Sequence, residues 1–106
     1  MWAQYFKERE GFETLENDKG CLTYRISGDE CYIKDIFVLK EHRRSNVATE
    51  LADECAKIAR DSNCKFLSGT IVPSTMGATG SMMGLLAYGF KIQAAQNDLI
   101  ILVKEF

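Results

Sequence analysis

The chain has 106 residues, 46% hydrophobic and 26% charged, with one Pro and a net charge of −2. That is a single compact domain over residues 1–106 with enough apolar material for a core, and it excludes a disordered polymer. The near-neutral balance argues against a general nucleic-acid binder, which needs a basic face making many phosphate contacts.

In chain order, Trp2 to Glu10 carry charge on one side and Trp2, Tyr5 and Phe6 on the other, which predicts a short amphipathic helix ending at Gly11. A hairpin follows, Phe12 to Glu16 and Cys21 to Ile26, around Asn17-Asp18-Lys19-Gly20, residues that tolerate positive φ. A turn at Ser27-Gly28-Asp29 leads into Cys31 to Leu39, where Ile33, Ile36, Phe37 and Val38 predict a central strand. Next, Val47, Leu51, Cys55 and Ile58 repeat at helical spacing, backed by Ala48, Ala52 and Ala59, with charges opposite; Ser45 or Asn46 can cap the start and Asn63 can take the left-handed stop. Cys64 to Val72 reads as a buried strand halted by Pro73, so strand, helix and strand form a right-handed βαβ unit with parallel strands.

From Ser74 to Phe90 the pattern is apolar but broken by Gly77, Gly80, Gly84 and Gly89. Each interior Gly disfavours a helix by about 1 kcal/mol, so this is either a helix against which a backbone or ligand lies closely, or a loop followed by a short helix. Phe90 to Ala95 and Leu99 to Lys104, around Gln96-Asn97-Asp98, predict a closing hairpin.

The longest apolar run, Met82 to Phe90, is too short and too interrupted to span a bilayer, and no signal peptide is expected before Trp2. Cys21, Cys31, Cys55 and Cys64 form no CxxC pair and have only His42 for company. We expect no metal, and four reduced thiols acting as small buried hydrophobes in a cytoplasmic protein.

Lys40-Glu41-His42-Arg43-Arg44-Ser45-Asn46-Val47-Ala48 is a basic cluster that follows an apolar strand and opens a helix. Cations there oppose the helix dipole at about 0.3 to 1 kcal/mol each. A phosphate-bearing ligand, welcomed by the unpaired N–H groups of a helix first turn, would explain them.

This order of elements resembles the GNAT superfamily of acyl-CoA-dependent N-acyltransferases over nearly the whole chain. The loop motif [Gln/Arg]-x-x-Gly-x-[Gly/Ala] falls on Arg43-Arg44-Ser45-Asn46-Val47-Ala48 and the closing Gly-Phe motif on Tyr88-Gly89-Phe90. The resemblance implies an α/β (α+β) fold: a mixed, mostly antiparallel central sheet with one parallel βαβ unit, a terminal hairpin and helices on both faces. It implies acetyl-CoA as co-substrate and a primary amine, small molecule or protein, as acceptor. Carried over by position, the backbone of Arg44, Ser45, Asn46, Val47 and Ala48 would hold the pyrophosphate with Arg43 and Arg44 beside it. Ile36, Phe37 and Val38 would meet pantetheine, and a strand N–H would polarise the thioester carbonyl, a kind of contribution worth about 3 to 4 kcal/mol. Asp35, where burial would raise its pKa, is the expected base for the amine; its other reading is a solvated position or a pair with Lys34. Tyr88 is the candidate proton donor to the departing thiolate, or else an aromatic anchor at the helix end.

Three departures stand beside the match. Asn46 replaces the first loop glycine, Leu85 stands where many members carry a tyrosine, with Ala78 at the usual asparagine, and the first strand and most of the first helical layer have no counterpart. The acceptor side is therefore open, to be completed by a partner subunit as in a homodimer, filled by a macromolecular amine, or unused. Three functions follow: an N-acetyltransferase, a GNAT-like module without chemistry that works through protein partners, and a polyanion contact through Arg43 and Arg44.

Overall fold

The computed structural model describes residues 11–43 and 45–106. The expected helix over Trp2 to Glu10, and Arg44, lie outside the described residues. Six strands form one sheet: β1 (Glu13–Glu16), β2 (Gly20–Ser27), β3 (Glu30–Val38), β4 (Phe66–Ile71), β5 (Lys91–Gln96) and β6 (Leu99–Glu105), in the spatial order β1-β2-β3-β4-β6-β5. Every neighbouring pair is antiparallel except β3 and β4, which are parallel and joined by helix α1 (Val47–Asp61). A second helix, α2 (Ala78–Tyr88), joins β4 to β5.

The β1–β2 turn is built by Asn17, whose side-chain oxygen accepts from the N–H groups of Lys19 (2.7 Å) and Gly20 (3.0 Å). Gly20 is required by a close approach, since a Cβ there would collide with the carbonyl oxygen of Phe37 on β3. Helix α1 buries Val47, Leu51, Ala52, Cys55, Ala56 and Ala59. The expected stripe is therefore present, shifted so that Ala48 is exposed and Ala56 takes its place inside. The helix stops at Asn63 (φ 64°), where Asn63 N–H donates to Arg60 and Cys64 N–H to Ala59, a double closure that delays the next strand to Phe66.

The core lies between α1 and one face of the sheet, where Leu22, Leu51, Leu67 and Leu102 are fully buried. Each such side chain contributes about 1.5 to 3 kcal/mol of burial. Helix α2 packs on the same face, with Met82 and Leu85 against that cluster and Leu85 over Gly69 of β4. Cys31, Cys55 and Cys64 are buried, and the sulfurs of Cys31 and Cys55 meet at 3.7 Å between β3 and α1. Among the described residues no helix is long and apolar enough to cross a membrane.

Candidate functional site

The site begins with an irregularity in β3. Its register with β2 passes from Tyr24 opposite Ile33 to Thr23 opposite Asp35, leaving Lys34 as an extra residue. The bulge reverses the alternation: Cys31 and Ile33 face the core before it, Ile36 and Val38 after it. Parallel pairing with β4 ends at the same place, at Ile33 opposite Gly69, although β3 runs on to Val38 and β4 to Ile71. From Asp35 onward the backbone of β3 has no partner strand on its β4 side among the described residues. The two strands thus part like a fork.

The fork opens on a cavity of about 720 Å³. Its walls are Asp35 to Val38 of β3, Gly69 to Val72 at the end of β4, Ala48, Thr49 and Ala52 of α1, and Gly80, Ser81, Gly84, Leu85 and Tyr88 of α2. Arg43 stands at the α1 end of this space. A chain threaded here meets strand backbone on one side and, at Gly80 and Gly84, bare helix on the other.

The turn into α1 combines a 3-10 turn (Lys40–His42) with Asn46 in the left-handed conformation (φ 52°) directly before the helix. Asn46 supplies what a glycine would at that position, at a modest cost for this residue type. Neither expected side-chain cap forms. Asn46 makes no capping bond, and the Ser45 hydroxyl donates to the His42 carbonyl instead. The first-turn N–H groups of α1 therefore keep no side-chain acceptor from this loop. Arg43 folds back onto the strand end, its Nε donating to the Val38 carbonyl at 3.0 Å with the guanidinium 5.9 Å from the Phe37 ring centre.

Asp35 lies on the cavity wall and is exposed, not buried as expected. The bulge turns it to the sheet face away from α1, beside Cys21 and Thr23 of β2. There it helps push the Cys21 thiol up, after burial and ahead of Glu16. Tyr88 also reaches the cavity, with its hydroxyl donating to Asp53 Oδ1 of α1 at 2.6 Å. Burial first, and that bond second, hold its phenol well above the ordinary tyrosine value. Leu85 sits at the fork above Gly69 and presents no titratable group.

Two further ties hold the rim. Tyr32 and Thr70 share a hydroxyl hydrogen bond (2.9 Å) across the base of the fork. Ser74 N–H donates to Asp98 Oδ1 at 3.1 Å, with its hydroxyl on the same carboxylate, pinning the β4–α2 loop to the closing turn. Sequence reasoning missed these and the Tyr88–Asp53 bond; in the sequence the partners stand 24 to 38 residues apart with no local pattern to pair them.

Residues 4–81 match the family model described as Acetyltransferase (GNAT) family. The chain belongs to the GNAT acetyltransferase family. Solved structures agree on the fold. A GNAT-family acetyltransferase from Desulfovibrio desulfuricans is 16% identical, with a TM-score of 0.80 over 96% of this chain and 75% of that one. A GNAT acetyltransferase from Elizabethkingia anophelis with acetyl-CoA bound is 17% identical, TM-score 0.74, over 97% and 82%. The PaiA N-acetyltransferase from Thermoplasma acidophilum in complex with coenzyme A is 13% identical, TM-score 0.78, over 94% and 65%. Among curated proteins none matches the sequence significantly. At such identities these structures speak for the GNAT fold alone.

Proposed function

We propose that the chain is an acyl-CoA-dependent N-acetyltransferase that moves an acetyl group from acetyl-CoA to a primary amine. The observation that carries this reading is the fork: parallel pairing ends at Ile33 and Gly69, exposing one side of β3 to a cavity that runs to the first turn of α1. Acetyl-CoA supplies an acyl group already activated as a thioester, which suits a site whose wall is the open strand edge of β3. Its diphosphate fits the first-turn amides of α1, from Ser45 through Asn46 and Val47 to Ala48, with Arg43 and, by its place in the loop, Arg44 as cations. Its extended arm fits the strand edge at Ile36, Phe37 and Val38. That two structural relatives hold CoA or acetyl-CoA supports the choice of ligand.

Asp35 is the base in this reading, because it is the carboxylate on the cavity wall just past the fork and opens to the face from which an amine can approach. Tyr88 is the proton donor available on the cavity wall; to reach a departing thiolate it must exchange its bond to Asp53. Reduced cysteines go with a cytoplasmic setting, and a second copy of the chain is the partner this reading allows for on the acceptor side. A second reading, a GNAT module without chemistry, is favoured by one observation: Leu85 at the fork cannot donate a proton and the Tyr88 hydroxyl is already engaged.

Calorimetric titration with acetyl-CoA, with ADP and a short DNA duplex as controls, tests the reading. Micromolar binding of acetyl-CoA above both controls is expected, followed by acetylation in a screen of amines. Absence of binding overturns it, and equal binding of the duplex would favour the polyanion contact instead. With an active amine in hand, Asp35→Asn should lower kcat/KM by about 10² or more and flatten the acid limb of the pH–rate profile. An unchanged profile removes Asp35 as the base.

A further inference from the structure

Helix α2 forms one wall of the cavity and is less deeply seated than α1, with Met82, Leu85 and Tyr88 only half-buried against the core. Only Ala78 of its residues is buried, Met83 is 65% exposed, and both ends are left-handed glycines, Gly77 (φ 82°) and Gly89 (φ 116°). A Cβ added at Gly80 or Gly84, on the cavity side, would meet nothing within 4 Å, so no side chain braces this helix across the cavity at those points. The opposite wall, α1, is fixed by six buried residues. Between the two walls the structure gives one direct side-chain hydrogen bond among the described residues, from the Tyr88 hydroxyl to Asp53 Oδ1 at 2.6 Å. The Tyr88 ring is itself set from below, with Phe90 at 6.1 Å between ring centres and Lys104 Nζ 5.0 Å from its own.

We infer that Asp53 is a positioning residue for the acyl-CoA cavity: acting through Tyr88, it holds the C-terminal turn of α2 against α1 and fixes the cavity's width. Asp53 does not line the cavity and touches no ligand position; its effect passes through a residue that does. Without the tie, α2 samples wider positions about its two glycine ends. A ligand that needs both walls then finds the competent spacing in only a fraction of molecules, and its apparent Kd rises by the inverse of that fraction. The phenol, held above its ordinary value by burial and then by Asp53, keeps the donor proton throughout the neutral range.

The inference rests on the acetyl-CoA reading for its ligand but has a readout that does not. In the first arm, acetyl-CoA is titrated into wild type, Asp53→Ala, Tyr88→Phe, the double variant and Asp53→Asn. Asp53→Ala and Tyr88→Phe should each raise Kd by about tenfold and the double variant by no more than either alone, as for one shared interaction. Asp53→Asn, which keeps an acceptor oxygen in the same place, should recover most of the loss seen in Asp53→Ala. In the second arm, amide hydrogen exchange without ligand should accelerate over 78–88 in Asp53→Ala while 47–61 is unchanged. Additive losses in the double variant, no recovery in Asp53→Asn, or exchange that rises equally in both helices would overturn the inference. If wild type binds no acyl-CoA, the functional reading falls, and the exchange arm still decides whether Asp53 holds α2.

Discussion

The layer formed by β2, β3 and α1 and the wall formed by α2 with strand β5 are packed on different terms. In the first, Leu22, Cys31, Leu51 and Cys55 lose all or nearly all contact with solvent. In the second, α2 buries Ala78 alone, Met83 and Leu86 face outward, and every residue of β5 is exposed. The first layer carries the stability of the domain and sets the backbone that forms the fork. The second closes the cavity with a helix held by half-buried Met82, Leu85 and Tyr88 and by a few polar ties. A rigid strand edge opposite an adjustable helix would suit the proposed acyl-CoA ligand, a long molecule to be admitted and then enclosed.

Stability measurements can break this contrast. Leu51→Ala in the packed layer should cost about 3 kcal/mol, within the range for a large-to-small core change, whereas Met83→Ala on the outer wall should stay within about 0.5 kcal/mol. Urea midpoints of the two variants decide it, and comparable losses would mean that α2 is as deeply integrated as α1. A smaller effect is expected at Gly20→Ala, where the new Cβ must displace the Phe37 carbonyl. We expect a loss of about 1 to 3 kcal/mol together with weaker acetyl-CoA binding, because the strand being pushed is the cavity wall. The smallest effect concerns Tyr88, whose folded-state pKa lies above the unfolded value of about 10. Its contribution is fully present below that pH and is lost as pH rises past it toward the folded value. The stability difference between wild type and Tyr88→Phe should therefore be constant from pH 7 to about 9 and shrink above about 10; a difference that grew there would contradict the Asp53 contact.

Much of the architecture was legible because its signals are local. The spacing of Val47, Leu51 and Cys55 marks α1, Asn63 marks its end, and the turn residues at 17–20 and 96–98 mark the two hairpins. The Arg43 to Ala48 stretch marked the loop, and the structure sets Asn46 there in the conformation a glycine would take. Asp35 was legible as a candidate but not in its surroundings. An apolar run reads as uniformly buried, and the extra residue at Lys34 that turns Asp35 to the sheet face away from α1 has no signature in composition. The caps failed for a related reason: Ser45 and Asn46 are good capping types, but a left-handed Asn46 cannot aim its side chain back along the helix as an extended cap does. Nor could the Tyr88–Asp53 tie be read, since it joins residues 35 positions apart that meet only once their two helices are laid on the same face of the sheet.

The cysteines add a property of their own. Cys31 and Cys55 sit inside the layer that carries the stability and Cys64 is buried against it just past the end of α1, whereas Cys21 is half-buried on β2. Cys55 holds its proton firmly, first through its contact with Cys31 and then through burial. An alkylating reagent would thus modify Cys21 in the folded molecule and reach the other three only when that layer opens. The protein carries its own chemical clock, in which one thiol reports the reagent and three report how often the fold comes apart.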